Sequence, residues 1–536
     1  MSKSEINALE RNPYVDATYG SAMRDICARY ADNLGLVYRD RRWTFAEIRQ
    51  EIDAAAARLW SLGLRSGDKV ALWLPNRPEF LWYWLGASQS GLITVVLNSR
   101  LKPDEAAYQI GQSDSRAVIV PGDGAFRDFL GDVLSVRSQL PALEFILALD
   151  PTKQAGVIDW SAPAPRGVEP PPLATDPEAP ALISYSSGTT ALPKGALITH
   201  CVFRKAWDIG IRVDLTVRDR LMMAIPLFGS MAMMNGVLPF WARGAALILA
   251  DRFQAASFVE LVQRESCTMA HLLPPMVLEI ARLPNFDAAA LSSLRVGFVL
   301  SNDREILALV ADRLGIPGVM TGYGLTESTT VATRNRWDDP RQARFETQGY
   351  AMPDIELVVV DPETGEPRKA GEVGEIRIRG YCVMKGYYKK PAETAKAIDA
   401  DGWLITGDMG VIWPDGRLTF LYRLGDGYKT NGFNVAPAEV EEAVRRHPGV
   451  ADTGVYGYPD PVAGQVGVAC VVPKPGVVIN QEEVIEFLKP LLAGYKLPRH
   501  VLTVAELPVT AGTGKVQKFK LRDMTEQLLP KAKALV

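Results

Sequence analysis

Short apolar runs alternate with amphipathic helical patterns along most of this 536-residue chain. Runs such as KVALWL and VGFVL are typical of strands buried on both faces, whereas AASFVELVQRES places its apolar residues at helical spacing. Parallel strands need long crossover connections, which are usually helices. The alternation therefore predicts an α/β fold of layered helices and mostly parallel sheets from about residue 20 to about residue 420.

The character of the sequence changes near residue 422. The run LTFLYRLGDGYKTNGFNV is rich in glycine and asparagine, and a compact pattern of helices and strands follows, beginning with the helical run PAEVEEAVRRHPG. Single domains span roughly 50–250 residues, so a chain of this length needs more than one core. We predict a large N-terminal α/β domain over residues 1–422 and a small C-terminal α+β domain over residues 423–536.

Composition excludes several classes of protein. The formal net charge is −3 and no polybasic run occurs, which argues against binding to nucleic acid or to a membrane surface. The most apolar stretch, Phe80 to Asn98, carries a glutamine, serines and glycines, so it predicts a buried helix and strand rather than a membrane span. Five scattered cysteines indicate no disulfide framework and suit a reducing cytoplasm. The first residues show no signal peptide, so we expect a cytoplasmic protein.

The run YSSGTTALPKG, from Tyr185 to Gly195, combines hydroxyls, glycines and a lysine between two apolar runs that read as strands. Glycine lets the backbone approach a ligand closely, hydroxyls donate hydrogen bonds, and Lys194 adds a positive charge. The run lacks the spacing of a Walker loop. It predicts a phosphate-binding loop, and a plain surface hairpin is the alternative.

Four further runs complete a pattern: TGYGLTES, GWLITGD, YRLGDGYKTNGFNVAPAEVE and PVTAGTGKVQK. In order and rough spacing, the five runs resemble those of the adenylate-forming superfamily, which includes acyl-CoA synthetases, peptide-synthetase adenylation domains and beetle luciferases. The resemblance extends over roughly residues 30 to 522. It implies that a carboxylate attacks the α-phosphorus of ATP, pyrophosphate leaves, and a thiol then displaces AMP from the acyl-AMP. It also implies that the small domain is mobile, because it rotates between the two half-reactions.

The resemblance also assigns roles to residues. Thr326 would contact the α-phosphate, Glu327 would hold Mg²⁺, and Lys515 would bridge the attacking carboxylate and the α-phosphate. Nucleotide-binding residues would be Ser186, Ser187, Gly188, Thr189, Thr190, Lys194, Ser301, Asn302, Tyr323, Gly324, Asp408 and Arg423. Phe228, Gly229 and Gly322 would line the acid pocket, and Gly425, Lys429 and Gly432 would serve the hinge and CoA. Local alternatives exist, because Glu327 could cap a helix and Asp408 could close a turn.

Some positions depart from the superfamily pattern. Tyr422 and Gly425 stand where a glycine and a charged pivot are usual, which leaves the second half-reaction in question. Gly229 replaces a bulky gate residue and predicts a pocket for acids larger than acetate. Methionines around Gly229 either line that pocket or fill core gaps. Ser301 and Asn302 replace small residues on the adenine side.

The leading hypothesis is therefore an ATP-dependent acid–CoA ligase that uses ATP, Mg²⁺, CoA and a hydrophobic carboxylic acid. One alternative is an acyl-AMP ligase that passes its product to a carrier protein or partner enzyme. A more distant alternative is a catalytically idle binding protein. The sequence shows no clear basic partner for a second carboxylate on the acid.

Overall fold

The computed structural model of the chain describes residues 12–122, 127–162, 171–186, 193–424, 427–430, 433–435, 437–460, 463–492, 494–509 and 516–529. The chain divides into two compact units. The first comprises Met1–Leu357 and Ile378–Ile405, and the second comprises Val358–Arg377 and Thr406–Val536. The domain boundary expected near residue 422 stays a prediction.

The strands occur throughout both units. Up to residue 199 they are β1 Leu34–Tyr38, β2 Arg41–Thr44, β3 Lys69–Leu72, β4 Ile93–Val96, β5 Ser115–Val120, β6 Phe145–Ala148, β7 Ile158–Asp159, β8 Pro180–Ser186 and β9 Lys194–Thr199. They continue as β10 Arg220–Met223, β11 Ala246–Leu249, β12 Met269–Leu272, β13 Val296–Val299, β14 Gly318–Met320, β15 Gly322–Tyr323, β16 Thr333–Arg334 and β17 Tyr350–Ala351. The remaining strands are β18 Ile355–Val360, β19 Val373–Gly380, β20 Leu404–Ile412, β21 Leu418–Arg423, β22 Tyr428–Thr430, β23 Phe433–Val435, β24 Val450–Asp460, β25 Gly464–Pro473 and β26 His500–Thr503.

Helices connect most of these strands. In the first half of the chain they are α1 Tyr19–Arg29, α2 Phe45–Ser61, α3 Pro78–Gln89, α4 Pro103–Gln112, α5 Phe129–Ser135, α6 Arg204–Arg212, α7 Ser230–Ala232, α8 Leu238–Ala242 and α9 Ala255–Glu265. The others are α10 Pro274–Ala281, α11 Arg304–Ala308, α12 Arg341–Glu346, α13 Pro391–Ala397, α14 Pro437–Arg445, α15 Gln481–Leu488 and α16 Lys518–Thr525. A π-helical turn, Met233–Val237, joins α7 to α8.

Two seven-stranded sheets dominate the described part of the first unit. Their strand orders are β14-β13-β12-β10-β11-β1-β2 and β7-β6-β5-β3-β4-β8-β9. Within them, only the edge pairs β1–β2 and β8–β9 are antiparallel. The α/β class and the mostly parallel sheets are therefore confirmed.

The most apolar stretch of the sequence forms a buried helix and a buried strand, as predicted. Of the residues of α3, only Glu79 is not buried, and every residue of β4 is buried. Pro78 occupies the first helical position, where its missing N–H costs no hydrogen bond. Within the described residues, no helix combines the length and the apolar character needed to cross a membrane.

The predicted phosphate-binding run lies between two paired strands. Strands β8 and β9 pair antiparallel, with Tyr185 opposite Gly195 and Ser186 opposite Lys194. The sequence had indicated two short strands at these positions, and the pairing confirms them. Residues 187–192 between them lie outside the described residues.

The second unit carries the predicted compact α+β pattern. Strands β23, β22, β25 and β24 pair in that order, and β26 pairs with the inner strand β25. Helix α14 begins at Pro437, as expected, and its buried residues join a core with β24 and β25. Helix α15 ends at Leu488, earlier than the helical pattern suggested, because Pro490 cannot continue a helix.

Candidate active site

A carboxylate, a phenol and an ammonium group meet beside strand β9. The hydroxyl of Tyr387 donates to Oε1 of Glu327 at 2.8 Å, and both residues are less than 10 % exposed. The ammonium nitrogen of Lys194 lies 4.4 Å from the centroid of the Tyr387 ring, within range of a cation–π interaction. An isolated bridge between Ala196 and Tyr387 fixes the segment around Tyr387 against the strand. Lys194 and Glu327, predicted to act on one nucleotide, are thus brought together.

Thr326 and Glu327 lie in a tight turn that is strained just beyond them. Thr329 and Thr330 have φ angles of 53° and 77°, in the left-handed region that costs β-branched residues energy. Gly324 permits the turn, because a Cβ there would lie 1.9 Å from the carbonyl oxygen of Thr330. Strained backbone persists only where the surroundings hold it, and it concentrates at functional sites.

The buried side chain of Lys205 holds this turn. Its ammonium group donates to the carbonyl oxygens of Ser328 at 3.3 Å and Thr329 at 2.6 Å, and to Oγ1 of Thr329 at 2.7 Å. Burial lowers the pKa of Lys205 to about 8. Lys205 lies on α6, far from the turn in sequence, and it fixes the backbone that carries Thr326 and Glu327.

The expected adenine-side residues lie near the ends of neighbouring strands. Ser301 and Asn302 follow the carboxyl end of β13, and the hydroxyl of Ser301 accepts a hydrogen bond from the amide of Asp303 at 3.0 Å. Tyr323 lies on the short strand β15 and is buried. The carboxyl ends of strands in open α/β sheets are where ligands usually bind.

Two glycines were predicted to line the acid pocket, and their surroundings differ. A Cβ on Gly322 would lie 2.7 Å from the carbonyl oxygen of Thr333, so this position needs glycine. Among the described residues, a Cβ on Gly229 would come within 4 Å only of the carbonyl oxygen of Pro226, at 3.3 Å. Phe228 is partly buried against the main core. The methionines around Gly229 all belong to that core: Met222, Met223, Met231, Met233 and Met234.

In the second unit, Asp408 and Arg423 lie opposite each other on the paired strands β20 and β21. Nε of Arg423 is 3.7 Å from Oδ1 of Asp408, and the arginine side chain is the more exposed of the two. The backbone amide of Asp408 donates to Oγ1 of Thr406 at 3.0 Å. The structure therefore brings together the two residues expected to bind ribose.

Tyr422 packs beside the expected hinge. A Cβ on Gly427 would lie 2.6 Å from Cε2 of Tyr422, so the ring lies directly against this glycine. Burial raises the pKa of the Tyr422 hydroxyl. The Tyr422 ring thus contacts Gly427, which follows the predicted hinge.

Several predicted site residues lie outside the described residues, and their roles stay predictions. They are Ser187, Gly188, Thr189, Thr190, Gly425, Gly432 and Lys515. Ser186 and Lys429 are described only as positions in strands β8 and β22.

Comparison with known proteins decides the family. The profile of the AMP-binding enzymes matches residues 23–388, and that of the AMP-binding enzyme C-terminal domain matches residues 439–515. The chain belongs to the AMP-binding enzyme family. The resemblance to the adenylate-forming superfamily is confirmed, and the protein is a ligase of the acyl-CoA synthetase type.

Relatives of this AMP-binding enzyme cover nearly its full length. YngI of Bacillus subtilis (strain 168) is 32% identical over 96% of this chain and 98% of its own. The mitochondrial medium-chain acyl-CoA ligase ACSF2 of Bos taurus is 30% identical over 96% of this chain and 88% of its own. The crystal structure of the anthranilate CoA ligase AuaEII in complex with anthranoyl-AMP is similar, with a TM-score of 0.86, 27% identity and coverage of 98% of this chain and 99% of that one.

Sequence reasoning missed two residues that shape the site of this AMP-binding enzyme. Tyr387 stands in the run KGYYKKP, where nothing distinguishes its hydroxyl from that of Tyr388. Lys205 stands in a helical pattern, where a lysine is ordinarily solvent-exposed. The contacts of both become visible only when residues distant in sequence are brought together.

Proposed function

We propose that this enzyme uses ATP to convert a carboxylic acid with an apolar body into an acyl-AMP, and then transfers the acyl group to CoA. In the first step a carboxylate oxygen bonds to the α-phosphorus, the bond between the α- and β-phosphates breaks, and pyrophosphate leaves. In the second step the CoA sulfur bonds to the acyl carbon, the bond to the AMP oxygen breaks, and AMP leaves. The arrangement of Lys194, Tyr387 and Glu327 beside the Thr326 turn is the observation that carries this proposal.

Phosphoryl transfer depends on positioning and charge neutralisation more than on covalent help. Lys194 supplies positive charge for the leaving pyrophosphate, and Thr326 supplies a hydroxyl for the α-phosphate. The three hydrogen bonds from Lys205 keep the turn in one conformation, so Thr326 and Glu327 need little rearrangement when the substrate arrives. Lys515 is proposed to stabilise the developing charge between the carboxylate and the α-phosphate.

The residues present suit a magnesium ion. Mg²⁺ is usually held by one or two carboxylates together with substrate phosphates, and Glu327 offers a nearly buried carboxylate oriented by the hydroxyl of Tyr387. When bound, the ion neutralises phosphate charge. Asp408 and Arg423 are proposed to bind the ribose hydroxyls, since an ionised carboxylate accepts hydrogen bonds from both.

An acyl-AMP ligase that passes its product to a carrier protein or partner enzyme is the second candidate. It is favoured by Tyr422, which stands where the superfamily usually has a glycine and whose ring lies against Gly427. A difference of only about 1.4 kcal/mol between two domain poses changes their ratio tenfold. Bulk at this joint can therefore slow thiolation without affecting adenylation.

Mass spectrometry of a reaction with an acid library, ATP, Mg²⁺ and CoA tests both candidates. Acyl-CoA and AMP are expected if the enzyme completes both steps. Accumulation of acyl-AMP in the presence of CoA would favour the second candidate. A folded protein that released no pyrophosphate with any acid would refute acid activation itself.

A further inference from the structure

Three polar side chains surround a small buried cavity in the first unit. Arg334, His271 and Asn235 are each at most 2 % exposed. Nε and Nη1 of Arg334, Nδ1 of His271 and both amide atoms of Asn235 have no hydrogen-bond partner among the described residues. Buried polar groups are nearly always paired in folded proteins, so this cluster needs an explanation.

The cluster adjoins residues that are predicted to line the acid pocket. The guanidinium carbon of Arg334 lies 4.2 Å from the centroid of the Phe298 ring, and the His271 ring centroid lies 5.5 Å from it. A Cβ on Gly322 would lie 3.6 Å from the same Phe298 ring and 3.7 Å from Cα of Arg334. Asn235 stands in the π-helical turn that continues the helix begun just after Gly229. The cluster thus lies next to Gly322 and on the segment that follows Gly229.

Two other arginines nearby, the partly buried Arg212 and the buried Arg344, show what a purely structural role looks like. Arg212 donates to the carbonyl oxygens of Arg334 and Tyr350, both at 2.8 Å. Arg344 donates to the carbonyl oxygen of Val319 at 2.8 Å. Each of these guanidinium groups is stabilised by backbone oxygens, whereas Arg334 has no such acceptor for its Nε and Nη1 within the described chain.

Arg334 keeps its charge in this setting. Burial, and to a lesser extent the charge of Arg212, lowers the pKa of Arg334 to about 9, which leaves it protonated at neutral pH. Burial lowers the pKa of His271 to about 3, so its imidazole is neutral at neutral pH. Of the three side chains, Arg334 therefore carries the positive charge. A buried cation without a counterion is costly. A water molecule can satisfy its hydrogen bonds, but only an anion neutralises its charge.

We propose that Arg334, His271 and Asn235 form a polar end to the acid pocket and bind a second carboxylate at the far end of the acid. This inference rests on the proposed acid activation. A guanidinium group recognises carboxylates well, and the amide of Asn235 adds a further donor. The cavity itself is about 10 Å³, room for about one water molecule, and the flexible side chain of Met269 lines it. A carboxylate end group needs more room than this, so side chains that line the cavity must shift to admit it, and the apolar body of the acid stays outside the cluster.

The test compares pairs of acids that differ only at the far end: pentanoate with pentanedioate, hexanoate with hexanedioate, and octanoate with octanedioate. Calorimetric titration measures how tightly each binds, and pyrophosphate release is followed in parallel. We expect at least one diacid to bind about tenfold or more tightly than its monoacid, because a polar site strongly rejects ligands that leave it unpaired. Equal binding within every pair, or no binding by any diacid, overturns the inference.

Variants separate recognition from folding. Arg334→Met keeps much of the side-chain length and is expected to abolish the preference for the diacid while leaving monoacid binding within about twofold. Asn235→Leu breaks no protein hydrogen bond, so it is expected to leave the melting temperature unchanged and still weaken diacid binding. The matched control Arg336→Met removes an exposed arginine on the following segment and should behave as wild type. A diacid preference that survives in both Arg334→Met and Asn235→Leu overturns the assignment.

Failure of the proposed function is distinguishable from failure of this inference. If diacids bind with the expected preference but no acid yields pyrophosphate, acid activation is refuted and the binding site stands. If pyrophosphate is released equally well from monoacids and diacids and their affinities are equal, acid activation stands and the second carboxylate is refuted.

Discussion

Replacement of Tyr387 by phenylalanine tests the proposed metal site with the loss of a single oxygen atom. The hydroxyl of Tyr387 donates to Oε1 of Glu327 at 2.8 Å. The phenyl ring remains, so the cation–π interaction with Lys194 is retained. The substitution therefore removes the group that orients the Glu327 carboxylate and leaves its neighbours in place.

The magnitude follows from the kind of hydrogen bond that is lost. Hydrogen bonds to charged groups contribute about 1.5–3 kcal/mol, which corresponds to roughly 10- to 150-fold in an equilibrium constant. Loss of a group that orients a metal ligand typically costs about 10- to 100-fold in metal affinity. The two ranges agree. We therefore expect the Mg²⁺ concentration for half-maximal activity to rise by about 10- to 100-fold in Tyr387→Phe.

Pyrophosphate release at fixed ATP, measured over a range of Mg²⁺ concentrations, gives this value directly. Saturating Mg²⁺ should restore most of the rate. Tyr388→Phe is a matched control, because its hydroxyl donates to Oδ2 of Asp114 at 3.0 Å and has no bond to Glu327. An unchanged Mg²⁺ dependence in Tyr387→Phe, or an equal shift in the control, would refute the assignment of Glu327 as the metal ligand.

Four other substitutions test separate parts of the reasoning. Lys515→Ala should slow acyl-AMP formation by about 100- to 1000-fold and leave the reaction of supplied acyl-AMP with CoA intact, and unchanged pyrophosphate release would exclude Lys515 from the mechanism. Gly229→Trp should lower kcat/KM for bulky acids relative to small ones, since the position has open space beyond one backbone oxygen, and an unaltered ratio would rule out a gate there. Lys205→Met should lower kcat by about 10- to 100-fold, because the turn that carries Thr326 and Glu327 loses the hydrogen bonds that hold it. The melting temperature should change little, because the substitution also removes a buried charge. Full activity would show that the turn does not depend on Lys205. Burial lowers the pKa of His200 to about 4, so between pH 6.5 and pH 4 the unfolded chain binds a proton that the folded chain does not. The free energy of unfolding therefore falls as the pH falls, by up to about 3 kcal/mol. Between pH 7 and pH 4 the melting temperature of His200→Asn should fall less than that of the wild type, and an equal fall would show that His200 is not the cause.

Local sequence signals determined much of the architecture. Short-range patterns account for the paired strands around the predicted phosphate-binding run, for the buried α3 and β4, and for helix α14 with Pro437 at its start. These features depend on backbone preferences and on the alternation of apolar residues, which are properties of neighbouring residues. The helical pattern predicted a longer α15 than the structure has, since the helix ends at Leu488, two residues before Pro490.

The order of the motifs indicated the family, and with it that Glu327, Lys194, Asp408 and Arg423 would act on a nucleotide. The tertiary structure then showed which of these residues meet. Glu327 accepts a hydrogen bond from the Tyr387 hydroxyl, and the ammonium group of Lys194 lies over the Tyr387 ring. Asp408 lies opposite Arg423 on two paired strands. Register between strands fixes such pairs, and register is set by packing and turn geometry over many residues.

The contacts of Lys205, Tyr387 and Arg334 were decided by the tertiary structure alone. Lys205 meets Thr329 across 124 positions of sequence, and Tyr387 meets Glu327 across 60. In the sequence none of them stands out, because lysine and arginine are usually exposed and tyrosine is intermediate in burial. Burial changes its role, because a charge or hydroxyl removed from water must find a partner in the fold or in a ligand. Only the packed structure shows which partner is present, and that Nε and Nη1 of Arg334 have no hydrogen-bond partner within the described part of the chain.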